Sequence, residues 1–361
     1  MWVLSRTKTG LQNCALLRTA RNGWIFRTRY KDQVVTIEDF LAVMQEVSPL
    51  DLSHFALWFH QSGTPVVTVT DQYDPETQCY QLTIKQVTAP TPDQPDKQSL
   101  FIPVQMGLLD ANGNVLSFRL DGSDTQQAEA ILFFDKALQA FTFHGVGAKP
   151  IPSLLRDFSA PVKLTYDYSN ANLIVLIQYD PNFFNRLEAM QQFIQRHLLA
   201  LIKDCQQNKS LAVSDEVILV FRHILQSHLD PWLRAAMLEI PQPHQISKYM
   251  DRVDIDAIVI VHKFFSKQIA VRLQTELSTQ YHQCDTQDNF QATSFELLDI
   301  GIRSLKNRCL QLLIQNPSDD NMAITRHQFN TCLAVNRFGP PCREQRLEEQ
   351  EANIMSAPST N

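Results

Sequence analysis

The hydrophobic period changes along this chain, and that change constrains the fold more than any other feature. From Val66 onward the period is two. Tyr80, Leu82 and Ile84 alternate with Gln81, Thr83 and Lys85; Leu116, Phe118 and Leu120 alternate with Ser117 and Arg119; Val162, Leu164, Tyr166 and Tyr168 alternate with Lys163, Thr165 and Asp167. Successive side chains of a strand point to opposite faces, so each run predicts a strand with one buried face. "DANGN" at 110–114 reads as a hairpin turn, and "APTPDQPDK" at 89–97 as a proline-stiffened connector. Short strands at this spacing indicate a β-sandwich over 66–178.

On either side the period is that of a helix. "TIEDFLAVMQEVSPLDLSHFALWFHQSG" reads as two short helices. Thr36 caps the first, Glu38 and Asp39 sit in its first turn, and Pro49 ends it; Asp51 or Ser53 starts the second and Gly63 stops it. From Asn185 the 3.6 period returns. "NRLEAMQQFIQRHLLALIKDC" puts Leu187, Met190, Ile194, Leu198 and Leu201 on one stripe. Further helical runs follow, with Asp230 as an N-cap before Pro231 and Asp254 as another. The fold class is therefore multidomain α and β: a short helical remnant, a β-sandwich, then an α-helical array of solenoid type. The expected divisions are 1–30, 31–65, 66–178, 179–338 and a polar tail at 339–361.

Composition narrows the function. The net charge is −6, without the basic stripe of a nucleic-acid binder. No apolar run reaches the length of a membrane span; "AIVIVHKFF" is broken by His262 and Lys263. The 7 cysteines are odd in number, widely spaced and form no CxxC, the pattern of a cytoplasmic protein with reduced thiols. The first 31 residues carry Arg6, Lys8, Arg18, Arg21, Arg27, Arg29 and Lys31 and no acidic residue. An Arg-rich, acid-free start can be a targeting segment, but an out-of-frame or truncation-derived start is the expectation here.

No catalytic constellation appears. There is no His-Glu dipeptide, so no HExxH zinc motif, and no GxSxG or GxGxxG. His54 and His60 are six apart and His223 and His228 five apart, both poor spacings for a shared metal on a helix. His282 with Cys284, and His327 with Cys332, are the best remaining metal candidates, and each reads more simply as ordinary helix residues. "DRVDID" at 251–256 lacks the glycine and distal glutamate of a calcium loop and reads as a capped helix start. Ser62, in "QSG", reads as a helix end before a glycine. The expected catalytic, cofactor and metal residues are none.

"DLSHFALWFHQSGTPVVTV" resembles the exit from the catalytic domain of an M1-family zinc aminopeptidase, where a Trp-x-x-Gln-Ser-Gly-x-Pro segment leads into a β-sandwich. "YDPETQCYQLTIKQVTAPTPDQPDKQSLFIPVQMGLLDANGNV" resembles the start of that sandwich in the bacterial aminopeptidase N branch. "PSLLRDFSAPVKLTYDYSNANLIVLIQYDPNFFNRLEAMQ" resembles its last strands and the start of the helical domain. "LDPWLRAAMLEIPQ" and "VDIDAIVIVHKFF" resemble that domain's early helices. The likeness runs over about 31–335; Leu187 stands where the family usually has tryptophan.

The resemblance implies removal of N-terminal residues from peptides by one zinc ion. The family holds that zinc with two HExxH histidines and a later glutamate. A Gly-x-Met-Glu-Asn loop binds the substrate amine, and a tyrosine stabilises the oxyanion. None of these has a matching position in this sequence, so none is carried over, and whether the chain is an enzyme is left open. The expectation is a partial aminopeptidase N, inactive alone. The alternatives are a half complemented by a separate chain carrying the catalytic domain, which would then act on peptides, and a non-enzymatic peptide- or protein-binding module. Zinc is the family's cofactor; none is expected in this chain, nor any nucleic-acid or membrane partner.

Overall fold

The computed structural model describes residues 25–47, 52–287 and 297–335, the side chains of 47, 297 and 331–335 excepted. Most of the basic start, Pro49 and the polar tail lie outside the described residues. The chain divides into two compact units, with the division between Phe193 and Ile194.

In the first unit, helix α1 (Ile37–Val47) begins as its sequence requires. Thr36 Oγ1 accepts from Asp39 N at 3.2 Å, and Thr36 N donates to Asp39 Oδ2 at 2.9 Å. That exchange holds the Asp39 carboxyl below its ordinary range, the Thr36 backbone bond being the largest cause. Val43 and Met44 of α1 pack with Leu52 in a small satellite core beside Phe26, Tyr30 and Phe55. The expected second helix is one turn, α2 (Leu57–His60), preceded by turns at 53–56.

A sandwich follows. One sheet contains β1 (Val66–Asp74), β2 (Cys79–Val87), β5 (Phe118–Leu120), β6 (Gln126–Gln127), β8 (Leu138–His144) and β10 (Lys163–Thr165), in the order β10-β1-β2-β8-β5-β6. The other contains β3 (Ile102–Leu109), β4 (Val115–Leu116), β7 (Glu129–Phe134) and β9 (Ile151–Leu154), with β4, β7 and β9 all paired to β3. The predicted alternation is present. Val67, Val69, Tyr80, Leu82, Ile84, Phe118, Leu132, Phe134 and Phe143 fill one core between the layers.

Two strand expectations are corrected. Leu116–Leu120 is not one strand: β4 lies in one sheet and β5 in the other, and the chain changes layer at Ser117. The run 162–168 is strand only over Lys163–Thr165. Tyr168 instead donates its hydroxyl to Pro152 O at 2.6 Å, and Ser169 caps the next helix through a reciprocal bond with Asn172. Tyr168 N bonds back to Tyr166 O at 3.1 Å and Ser169 N is committed to the cap, so the chain turns into a helix and does not continue the sheet.

That helix, α3 (Asn170–Tyr179), precedes the point at which the sequence reading sees the 3.6 period return. α4 (Phe183–Gln206) follows; of its predicted stripe Met190, Ile194, Leu198 and Leu201 are buried, while Leu187 is half-buried.

The second unit is helical: α5 (Asp215–Gln226), α6 (Pro231–Met237), α7 (Pro243–Ile246), α8 (Ile255–Arg272), α9 (Gln274–Gln287), α10 (Leu297–Leu313) and α11 (Asp319–Val335). Asp230 caps α6, accepting from Trp232 N at 2.8 Å with Pro231 in the first turn, and Asp254 caps α8 through Ala257 N at 3.1 Å. α10 packs on both α9 and α6. Gly301 makes the second contact close, since a Cβ there would lie 3.0 Å from Trp232 N. Buried Asn321 ties the α10–α11 turn together, donating to Leu313 O and Asn316 O at 3.1 and 2.7 Å. No helix among the described residues is long and apolar enough to cross a membrane.

Candidate functional site

The hinge segment around α2 is more than a helix end. Its side chains grip the connector between β2 and β3. His54 Nε2 lies 2.6 Å from Ser99 O, and Trp58 Nε1 donates to Phe101 O at 2.8 Å. Gln61 exchanges two bonds with Gln98, at 3.0 and 2.8 Å, much as a strand would. Gln94 Nε2 donates to His60 O at 2.7 Å. Gly63 turns the chain into β1 with a φ of +98°, and a Cβ there would meet Thr88 Cγ2 at 3.0 Å. Each conspicuous residue of "WFHQSG" therefore has a structural task, which fixes this segment on the sandwich.

A second centre lies at the opposite sequence end of the sandwich. Arg156 is fully buried. Its guanidinium donates to Ser153 Oγ at 2.8 Å and Glu129 Oε1 at 2.6 Å, and lies 3.4 Å from the buried carboxylate of Asp180. Asn185, at the start of α4, donates to Ser153 Oγ and Leu154 O at 2.8 and 2.9 Å, and Asn182 joins Asp157 at 2.9 Å. Burial pushes the Asp180 carboxyl above its ordinary value, against the opposing pull of Arg156. Leu155, Asp157 and Phe158 all have φ between 53° and 55°, the left-handed region that side chains avoid. Such residues cost roughly 1–3 kcal/mol each and persist only where the surroundings fix them. The fixing here comes from charge-assisted bonds that join the last strand turn to α3 and α4 within the first unit. No sequence pattern signals this centre, because a lone arginine reads as surface.

The metal candidates do not converge. His60 pairs with Glu38 at 3.6 Å and His54 is taken by Ser99. On α9, His282 is exposed while Cys284 is buried and accepts from Gln280 Nε2 at 3.3 Å. His327 lies 3.5 Å from Asp285, which also binds the buried ammonium of Lys306 at 3.2 Å. The side chain of Cys332 lies outside the described residues. Asp254 is spent on its cap, and Asp251 and Asp256 are exposed. Ser62 faces the connector. Among the described residues no group of three or more His, Cys, Asp or Glu side chains is placed to hold a metal. Zinc in a catalytic site takes three protein ligands, so these donors do not fit it.

Comparisons with known proteins agree with this organisation. Residues 63–167 match a family described as a domain of unknown function with an Ig-like fold (DUF3458), and residues 170–336 match its companion described as ARM repeats (DUF3458_C). The chain is 36% identical over 291 residues to aminopeptidase N of Escherichia coli K12, which covers 80% of this chain and 32% of that protein. It is 33% identical over 299 residues to aminopeptidase N of Haemophilus influenzae, covering 82% of this chain and 34% of that one. Among solved structures it is similar to Legionella pneumophila aminopeptidase A in complex with aspartic acid, with a TM-score of 0.72 and 29% identity over 87% of this chain and 35% of the other. The chain thus spans about a third of the length of the relatives it matches.

Proposed function

Because this chain belongs to the M1 aminopeptidase family through the sandwich and helical domains of the aminopeptidase N branch, we propose that it is the non-catalytic scaffold of such a peptidase. In this reading it contributes no zinc ligand, is inactive alone, and works by seating a separate catalytic chain that carries the HExxH motif. The assembled pair removes N-terminal residues from peptides in the cytoplasm.

One observation carries the reading. The segment that resembles the exit from the family's catalytic domain is gripped by the sandwich through His54, Trp58, Gln61 and Gln94. A rigid grip at that point gives a catalytic chain a fixed seat. The wide cysteine spacing suits a reducing compartment.

Hydrolysis of an aminoacyl-anilide tests it. The purified chain with added zinc is expected to give no turnover. Addition of a separately produced catalytic domain bearing HExxH is expected to give turnover and a sedimenting complex. Zinc-dependent turnover by the chain alone, removed by a chelator, overturns the reading, as does failure of the two chains to associate.

A further inference from the structure

The side chain of Lys97 ends among four oxygens. Its Nζ lies 3.0 Å from Ser62 O, 3.0 Å from Ser62 Oγ, 2.9 Å from Thr91 Oγ1 and 3.0 Å from Gln94 Oε1. An ammonium has three N–H donors, so one acceptor is always in excess. The oxygens are also held without the lysine. Ser62 N donates to Gln94 Oε1 at 2.8 Å, and the Ser62 and Thr91 hydroxyls lie 2.8 Å apart. Thr91 and Gln94 form an isolated bridge with backbone bonds of 3.2 and 3.0 Å. The ring is preorganised, and it joins Ser62, two residues beyond α2, to the connector.

Its chemistry selects one class of ion. All four oxygens are neutral, from a carbonyl, two hydroxyls and a carboxamide. Their distances from the centre exceed the roughly 2.3–2.6 Å of calcium and 2.0–2.1 Å of magnesium, which also favour carboxylates. A large singly charged ion fits.

We propose that Ser62, Thr91 and Gln94 form a monovalent-cation cradle that the chain fills with the ammonium of Lys97. The cation latches residues 54–62 to the connector, and with that ammonium removed the cradle takes a free ammonium or potassium ion. This inference does not depend on the aminopeptidase reading.

The test uses the full chain with Lys97→Met, which keeps the apolar stem and removes the charge. Hydrogen exchange of 54–62 is read in N-methylglucamine, ammonium and potassium chlorides at equal ionic strength. A hydrogen bond to a charged group contributes about 1.5–3 kcal/mol, so exchange in the organic cation is expected to rise about tenfold or more. Ammonium or potassium is expected to restore most of the protection, while the wild type behaves alike in all three. Unfolding in the organic cation that ammonium reverses is the same result in stronger form. Adding Thr91→Val is expected to abolish the rescue. Unchanged exchange in Lys97→Met, a loss indifferent to the cation, unfolding in all three salts, or rescue that survives Thr91→Val overturns the proposal.

Discussion

The guanidinium of Arg156 lies flat against the backbone of Gly107: a Cβ on Gly107 would sit 2.4 Å from Arg156 Cζ. Glycine is required there by the arginine and not by the backbone. Gly107→Ala must displace a buried charge from its partners, and overpacking of this kind costs about 1–3 kcal/mol. Urea unfolding of the chain is expected to show that loss. An unchanged midpoint would mean that Arg156 has room to move.

Removing the arginine itself is expected to cost more. Arg156→Met leaves the Asp180 carboxylate buried without its cation, a change worth about 3–5 kcal/mol. Replacing both, with Arg156→Met and Asp180→Leu, removes the stranded charge and is expected to recover part of the loss. If the double variant is less stable than the sum of the single changes predicts, the pair is contributing more than charge compensation.

Asp180 also predicts a pH dependence. Burial raises its folded-state value above the ordinary one for aspartate, about 3.9 unfolded. Between those two values the folded state holds more protons than the unfolded state. This carboxyl's contribution to stability is therefore fully present below pH of about 3.9 and is lost as pH rises through the folded value. The stability of Asp180→Asn minus that of the wild type is expected to increase with pH across this window and then level off. A difference that falls with rising pH would reverse the sign of the argument.

Tyr168→Phe removes the hydroxyl that donates to Pro152 O at 2.6 Å in the interior. A buried carbonyl then lacks its partner, at a cost of about 1–3 kcal/mol. Burial raises the Tyr168 phenol well above its usual range, so it stays a neutral donor across ordinary pH. The expected loss of stability is accordingly the same at pH 6 as at pH 9, a range set by the roughly pH 10 of an ordinary phenol.

In the helical unit, Asp230→Ala removes the cap of α6. Loss of an N-cap carboxylate costs about 1 kcal/mol. Asp230→Asn keeps an acceptor and is expected to lose less. Thermal unfolding monitored on both variants distinguishes the cap from the charge.

What the sequence makes legible is what depends on nearest neighbours in the chain. Asp230 with Pro231, Asp254 before Ala257 and Thr36 with Asp39 form their caps as the local pattern requires. The alternation of Tyr80, Leu82 and Ile84 buries these residues on one face, leaving Gln81 and Lys85 exposed on the other. What the pattern conceals depends on residues distant in sequence. The helix Asn170–Tyr179 is apolar on most of its length, so its stripe has no polar contrast, and only Ser169 signals its start. The change of layer at Ser117 leaves the alternation intact while dividing it between two sheets. The grip of Gln61 on Gln98 and the burial of Arg156 involve polar side chains whose partners lie tens of residues away, and polarity alone reads as surface. Of the candidate metal residues, Cys284 is taken up by Gln280 and His327 by Asp285, contacts that no donor spacing in the sequence signals.

The parallel pairing of β1 with β10 sets a timetable for biosynthesis. Val66 pairs with Lys163, so the outer edge of the first strand waits for a partner made about a hundred residues later. At the usual rate of about 5–20 residues per second, that interval is roughly 5–20 s. Throughout it, the nascent chain presents an open strand edge able to pair with any other strand nearby. The aggregation hazard from residues 66–68 therefore falls largely on the ribosome, before β10 has emerged to pair with them.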